Sequence, residues 1–308
     1  MSGMDASELA LFAKSLHDTA NAHTGAALDT ALEELGWAEA LAAEPEAAIG
    51  ALFEAQGGAL TTSSAISRVV AAGLGRDDAI VVLPALDGVA PAGSATGAID
   101  GVVFGSGLTG PIAVPLPDGV AVVGAETLTG SPVHGIDPDA GLIRVTGAAV
   151  ATADDAGSWT DAVRLAHLAL GHELVGVSRA MLELARQHAL TRIQFGQPIA
   201  QFQAVRHRLA DAYLAIEAAS SLLESAWLDR SPVTAAMAKA QAGRAARTTA
   251  KHCQQVLAGI GFTTEHRHHL YVRRVLLLDQ LFGSTRTLTR SLGEQLIATR
   301  RLPDLLPL

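Results

Sequence analysis

A single cysteine, Cys253, stands in a chain of 308 residues. It excludes an intrachain disulfide and fits a reducing compartment, so a cytoplasmic protein is expected. Aromatic residues are also scarce, 4% of the chain against 49% hydrophobic residues in all. The core must therefore be assembled from alanine, leucine and valine, and small side chains let helices pack closely. Basic residues are outnumbered, 22 Lys and Arg against 31 Asp and Glu, for a net charge of -9. That balance argues against a nucleic-acid binder, which needs clustered cations to neutralise phosphates. No uncharged apolar run reaches the length of a membrane span. Met1 to Ala20 carries Asp5 and Glu8 and lacks the basic region and apolar core of a signal peptide. Neither nucleic acid nor membrane is an expected partner, and the length suffices for two or three domains with a sizeable core.

The chain changes character twice. From Ser7 to about Arg76 the pattern predicts helices: Leu9, Phe12 and Leu16 recur at spacings of three and four, with Leu32, Leu35 and Trp37 in a second segment and Ile66, Val69 and Val70 in another. From Asp77 glycine and proline recur, and short apolar runs at 79–83, 101–104, 112–114, 120–123 and 142–145 are bounded by turn residues, which predicts a small β unit. After the small, acidic linker 151–157, Ser158 and Asp161 have the spacing of a capping box at a helix start. Leu174, Val177, Met181 and Leu184 then form one helical stripe, and Val205, Leu209, Ala212, Ile216, Ala219 and Leu223 a longer one. Ser231-Pro232 breaks the second helix, an alanine-rich third runs from Ala235 to about Leu257, and a fourth follows the turn at Gly283. The predicted fold is mainly α with a small β domain: an N-terminal helical domain over 1–76, a reduced middle β domain over 77–157 and a C-terminal four-helix bundle over 158–308.

Two motifs sit at helix ends in the C-terminal part. The first is Arg192-Ile193-Gln194-Phe195-Gly196-Gln197-Pro198-Ile199, followed by Phe202-Gln203; the second is Gln255-Val256-Leu257-Ala258-Gly259-Ile260-Gly261-Phe262-Thr263. A guanidinium makes forked, charge-assisted bonds to pyrophosphate oxygens. An amide both donates and accepts, and glycine lets backbone approach a ligand. Read without a relative, the first is a turn between helices with one exposed arginine and the second a glycine helix stop.

Together and in this order, the two motifs resemble those of the acyl-CoA dehydrogenase family, whose layout is also a helical domain, a small β domain and a four-helix bundle. The resemblance implies that Arg192, Phe195, Gln255 and Gly259 bind the ADP half of an FAD held by a neighbouring subunit. Ala258 departs from the family's Gln-x-x-Gly-Gly-x-Gly pattern, standing where its first glycine would be. Most members carry a glutamate base in a Tyr-Glu-Gly-Thr turn, where this chain reads Leu281-Phe282-Gly283-Ser284. Phe282 thus occupies the usual base position, and a phenyl ring accepts no proton. Other members place the base on the first bundle helix, and counting back in their pattern leads to Ala166. The family's Thr-Glu-Pro-x-x-Gly-Ser-Asp segment, which binds the flavin ring, is replaced by Val82-Leu83-Pro84-Ala85, and its Trp-Ile-Thr strand is absent. No catalytic residue is therefore assigned.

The resemblance then implies a subunit of a heteromeric FAD-dependent acyl-CoA dehydrogenase. Its partner would be a homologous catalytic subunit, in a heterodimer or heterotetramer, that binds most of the acyl-CoA, a type known from actinobacterial sterol side-chain breakdown. Two alternatives stand beside it: a homo-oligomeric flavoenzyme with a relocated base, and a flavin-free helical scaffold. Glu173 and Asp279 are the candidates for such a base, although solvated helix carboxylates are the expectation. Glu265-His266-Arg267-His268-His269, near Arg273-Arg274, has histidines three apart but reads as an interface or polar surface, with no metal assigned. Cys253 is expected to be a buried structural thiol.

Overall fold

The structure, a computed structural model, describes residues 5–76, 80–105, 108, 110–148 and 158–300. The acidic linker 151–157, and with it the expected boundary before the bundle, lies outside them, as does the expected start of the β unit at 77–79.

Five helices open the chain: α1 (Ala6–Ala22), α2 (Ala26–Glu34), α3 (Trp37–Ala43), α4 (Pro45–Ala59) and α5 (Ala65–Gly73). A reciprocal capping box starts α1, with Asp5 Oδ1 accepting from the Glu8 amide at 2.9 Å and the Asp5 amide donating to Glu8 at 2.8 Å. The predicted stripe faces inward: Leu16 is buried and Leu9 and Phe12 are half-buried. Trp37 is buried as well, its indole N–H satisfied by the Ala48 carbonyl at 3.0 Å.

Strands follow: β1 (Ile80–Val81), β2 (Leu83–Pro84), β3 (Ala98–Phe104), β4 (Pro111–Leu116), β5 (Gly119–Gly124), β6 (Leu128–Pro132) and β7 (Leu142–Ala148). They form two small sheets, ordered β1-β4-β5 and β2-β3-β7-β6. Val82, Ile99, Val103, Ile112, Val114 and Val145 close a core between the sheets. Val81, Leu83 and Val102 instead join the helical core, so alternating residues of one short run serve two cores.

Beyond the strands come α6 (Trp159–Thr191), a hairpin of β8 (Ile193–Gln194) and β9 (Gln197–Pro198), then α7 (Gln203–Asp229), α8 (Pro232–Leu257), α9 (His268–Gln280) and α10 (Thr285–Thr299). Ser158 caps α6, its hydroxyl accepting from the Asp161 amide at 3.3 Å. The break at Ser231-Pro232 is as expected, with Ser231 capping α8 and proline at its first turn. Contacts fix the directions. His172 and Arg179 of α6 meet Trp227 and Ser220 of α7, so these two run antiparallel. His167 and Glu173 meet Phe282 and Arg274, so α9 also runs against α6. Lys239 of α8 reaches the Asp279 carbonyl and His268 lies beside Ala250, so α8 opposes α9 and parallels α6. The carboxy-terminal ends of α6 and α8 therefore share one end of the bundle.

The chain is mainly α with a small β region, as its sequence predicts. The addition is α9, a helix between the third and fourth expected ones, whose His268, Tyr271, Val275 and Leu278 are buried. α4 crosses α6 at backbone contact: a Cβ at Gly57 would collide with the Glu173 carbonyl, and one at Gly176 with that of Glu54. This crossing seats the N-terminal helices on the bundle.

Candidate cofactor contacts and a closed turn

At the shared end of α6 and α8 the chain makes two exposed turns. Arg192 ends α6 by turning extended (φ -75, ψ 115). Ile193 then pairs with Pro198 and Gln194 with Gln197, which leaves Phe195 and Gly196 as a two-residue turn. Both have positive φ, 53° and 79°, the backbone of a tight hairpin turn and a costly one for phenylalanine. The Phe195 side chain is 91% exposed and stands edge-on to Phe202 at 6.0 Å. The Arg192 carbonyl is held by the Ile199 amide at 2.9 Å, while its side chain donates no hydrogen bond to any described residue. The anchor is fixed and the guanidinium is free.

The second turn follows α8. Gln255 is exposed, with no partner for its amide among the described residues. Ala258 adopts φ 53, ψ -132, a conformation that suits glycine, and this is where the family pattern has its first glycine. A Cβ on Gly259 would meet nothing within 4 Å, so no contact inside the chain requires glycine there. Phe262 is 79% exposed. The pKa of His188, on the last turn of α6, is pushed down by burial, then by His266 and Arg192. Arg192, Phe195 and Gly259 thus lie on two turns, and Gln255 on the last turn of α8, at one end of the bundle. Their free amide, guanidinium and unobstructed backbone fit the phosphates and adenosine of a dinucleotide.

Phe282 lies at the opposite end of α9. Its backbone is left-handed (φ 53) and its ring is 1% exposed, stacked on Trp159 at 6.2 Å. Three carbonyls of this turn are held from within. His167 Nε2 bonds that of Phe282 at 2.9 Å, while Lys239 Nζ donates to that of Asp279 at 2.9 Å and to that of Gly283. Burial and the charge of Lys239 push His167 down to about 4. The imidazole is therefore neutral, and because a carbonyl only accepts, its proton is on Nε2; Nδ1 has no partner among the described residues. Burial likewise pushes Lys239 down to about 7. Asp87 accepts the Ser284 amide at 2.8 Å. Ala166 is buried beside His167. Where the resemblance implies the base and the flavin ring, the chain offers a buried hydrocarbon ring and the buried Leu83 and Pro84 of β2, which do not fit that part of the cofactor.

Three expectations are corrected. Glu173 and Asp279 are not solvated: both are buried, because each has charged partners contributed by distant elements. Asp279 bonds the Thr285 amide at 3.1 Å, its hydroxyl at 2.5 Å and Arg247 at 2.5 Å. Burial raises its pKa, and these bonds outweigh that and hold it low. Glu173 lies 3.5 Å from Arg274, which also binds Asp137 at 2.7 Å and the Thr61 carbonyl at 2.8 Å. Here burial wins over the Arg274 charge, and Glu173 is pushed up to about 7. A cavity of about 20 Å³, room for one water, adjoins the pair. The histidine segment is not wholly polar surface either. His268 and Arg274 are buried, because α9 turns that face into the bundle.

Among the described residues no group of three or more His, Cys, Asp and Glu is placed to hold a metal. His269 Nδ1 is engaged with the His266 carbonyl at 2.8 Å. Cys253 is the expected buried thiol, pushed up to about 12 by burial. Among the described residues no helix is long and apolar enough to cross a membrane. Sequence reasoning missed Lys239 and His167. The signal for Lys239 was its place on the stripe Ala235, Ala238, Lys239, Ala242 and Ala246, where a lone cation follows the period of buried alanines.

Comparison with known proteins bears on both ends of α9. Residues 160–297 match the profile of the acyl-CoA dehydrogenase C-terminal domain. That stretch, 138 of 308 residues, is similar to the acyl-CoA dehydrogenase C-terminal domain. The chain is 38% identical over 130 residues to the acyl-CoA dehydrogenase IpdE2 of Mycobacterium tuberculosis, covering 42% of this chain and 41% of that protein. It is 31% identical over 175 residues to IpdE2 of Mycolicibacterium smegmatis, covering 57% and 55%. The chain thus spans about half the length of these relatives or less. Among solved structures, a steroid acyl-CoA dehydrogenase, Tcur3481-Tcur3483 G363A, superposes with a TM-score of 0.79 at 20% identity, over 96% of this chain and 99% of that one. The ChsE4-ChsE5 complex from Mycobacterium tuberculosis gives 0.77 at 20% identity, over 99% and 100%. The shared fold extends over nearly the whole described chain.

Proposed function

We propose that this chain is a base-lacking subunit of a heteromeric FAD-dependent acyl-CoA dehydrogenase. Arg192, Phe195, Gln255 and Gly259 contribute the ADP side of a flavin site completed by a homologous catalytic subunit. The observation that carries this reading is the contrast across α9: free donors on two exposed turns at one end, and at the other a base position filled by the buried Phe282 ring. Arg192 binds and orients the pyrophosphate through its planar fork. Gln255 makes the directional amide contact, and the backbone at Gly259 lets the ligand approach. The bound flavin supplies the hydride acceptor for α,β-dehydrogenation of an acyl thioester, with the base and most of the acyl-CoA site on the partner. The layout of an N-terminal helical domain over 1–76, a reduced β domain over 77–157 and a bundle over 158–308 belongs to this reading. Similarity of fold to a steroid acyl-CoA dehydrogenase and to the two-protein ChsE4-ChsE5 complex supports the heteromeric form and a steroid side-chain thioester as substrate.

A second reading, a homo-oligomer with a relocated base, draws on one observation: Glu173 is a buried carboxylate with its pKa pushed up to about 7 beside a small cavity. One experiment separates the two. The chain is purified alone and after coexpression with a full-length homologous subunit, and the visible spectrum and acyl-CoA oxidation of each are recorded. Flavin and activity only in the coexpressed complex support the heteromer. A yellow, active homo-oligomer overturns it and favours Glu173.

A further inference from the structure

Three parts of the fold meet on one buried guanidinium. Arg274 of α9 donates from Nε to Asp137, in the segment between β6 and β7, at 2.7 Å, and from Nη1 to the Thr61 carbonyl, in the turn between α4 and α5, at 2.8 Å. Glu173 of α6 stands 3.5 Å from the same Nη1. The side chains of Arg274, Asp137 and Glu173 are only 4%, 8% and 9% exposed. The N-terminal helices, the β region and the bundle are thus tied through a single side chain.

Two carboxylates on one guanidinium leave an excess negative charge when both are ionised, and a buried uncompensated charge is costly. Asp137 holds the shorter contact, so the excess falls on Glu173. The charged groups that bear on Glu173 are Arg274 and Asp137. α4 and the turn after it present Gln56, Thr62 and Ser63, which carry no charge. Glu54 of α4 is taken by His172 and Arg179, α7 turns Leu223 toward α6 at Gly171, and Lys239 of α8 bears on His167 instead. The counterion within reach is a proton, and the adjoining cavity of about 20 Å³ has room for one water to carry it. Burial, working against the charge of Arg274, accordingly pushes Glu173 up to about 7.

We propose that Glu173, Arg274 and Asp137 form a proton-dependent latch: with Glu173 protonated, the turn between α4 and α5 and the segment between β6 and β7 stay seated on the bundle, and ionisation of Glu173 loosens both. Glu173 gives its proton to water, and its carboxylate gains hydration as the junction opens. An opened junction returns the group to its ordinary 4.5, so the closed form binds more protons between 4.5 and about 7. Over that range the opening constant should rise about tenfold per pH unit, and above it level off. The latch uses none of the flavin contacts.

The test is amide hydrogen exchange of the full chain, followed by mass spectrometry from about pH 5 to 8 and corrected for intrinsic exchange. Peptides over 56–65 and 133–141 should lose about a hundredfold in protection between about pH 5 and 7, and little beyond. A peptide over 240–250 in α8 exchanges through global unfolding, which also exposes His167 and His268. Burial pushes both of these down to about 4, which opposes the trend, so the α8 peptide should hold or gain protection. Glu173→Gln, which keeps the shape and removes the titration, should flatten the profile of the two junction peptides. Asp137→Asn leaves Arg274 to Glu173 alone and should shrink the fall. The latch is overturned if wild-type junction protection stays flat or rises over this range, if the fall is unchanged in either variant, or if the α8 peptide falls by the same factor.

Discussion

His167 binds the carbonyl oxygen of Phe282 through Nε2 at 2.9 Å, and the Phe282 ring stands edge-on to the same imidazole at 6.5 Å. One side chain of α6 thus fixes both the backbone and the ring at the position where a family base is expected. Trp159, at the start of the same helix, and Lys239, from α8, complete the closure. The Phe282 turn is therefore fixed by the packing around it as well as by its own sequence.

Phe282→Ala should lower the unfolding free energy by about 3 to 5 kcal/mol, as for other large-to-small core changes, measured by urea denaturation. If the base lies in the partner, the pH dependence of turnover in the complex should persist. A shifted pH profile in a still-assembled complex would place Phe282 next to the proton transfer.

The buried ionisable groups set opposite trends with pH. His167 and His268 are held at about 4 by burial, below the ordinary 6.5, so the unfolded chain binds more protons between those values. Their contribution is present above 6.5 and is lost as pH falls through 4. Glu173, raised to about 7 from 4.5, contributes most below 4.5 and loses that as pH rises through 7. Glu173→Gln should therefore make stability climb more steeply than wild type from pH 4.5 to 7. Lys239, lowered to about 7 from 10.5, adds a rise between those values that Lys239→Met should remove. Denaturant midpoints at a series of pH values check all three signs.

Ala258 carries a glycine-like backbone on an exposed turn. Ala258→Gly should relieve strain of about 1 kcal/mol, raising the thermal midpoint by about 2 to 4 °C. A lower midpoint would show that the turn is unstrained and that the entropy of glycine dominates.

The helices were legible where apolar residues kept period: Leu174, Val177 and Met181 all point into the core. Ser231-Pro232 marked its helix boundary through local chemistry alone. α9 was obscured because His268, Arg273, Arg274 and Asp279 interrupt its apolar positions, and two of the charges, Arg274 and Asp279, are buried by partners far away in sequence. Arg274 meets Asp137 and Glu173, each about a hundred residues or more distant, and no local pattern encodes such pairing. Arg192 and Gln255 could be singled out by motif, but their shared end of the bundle follows from the parallel course of α6 and α8. The closure around Phe282 was hidden in the same way. The substitution was readable, while its locks, His167 and Lys239, come from helices read only as apolar.

The central claim is that Arg192 holds the diphosphate of a flavin whose ring belongs to another subunit, and FAD titration of the stripped heteromeric complex tests it most directly. A charge-assisted contact is worth about 1.5 to 3 kcal/mol, so Arg192→Ala should weaken FAD binding by about ten- to a hundredfold. Arg192→Lys should restore only part, because an ammonium lacks the planar fork. Assembly is checked by size in the same samples. If wild type and Arg192→Ala remain assembled and bind FAD with equal affinity, Arg192 is not a flavin ligand and the account is contradicted.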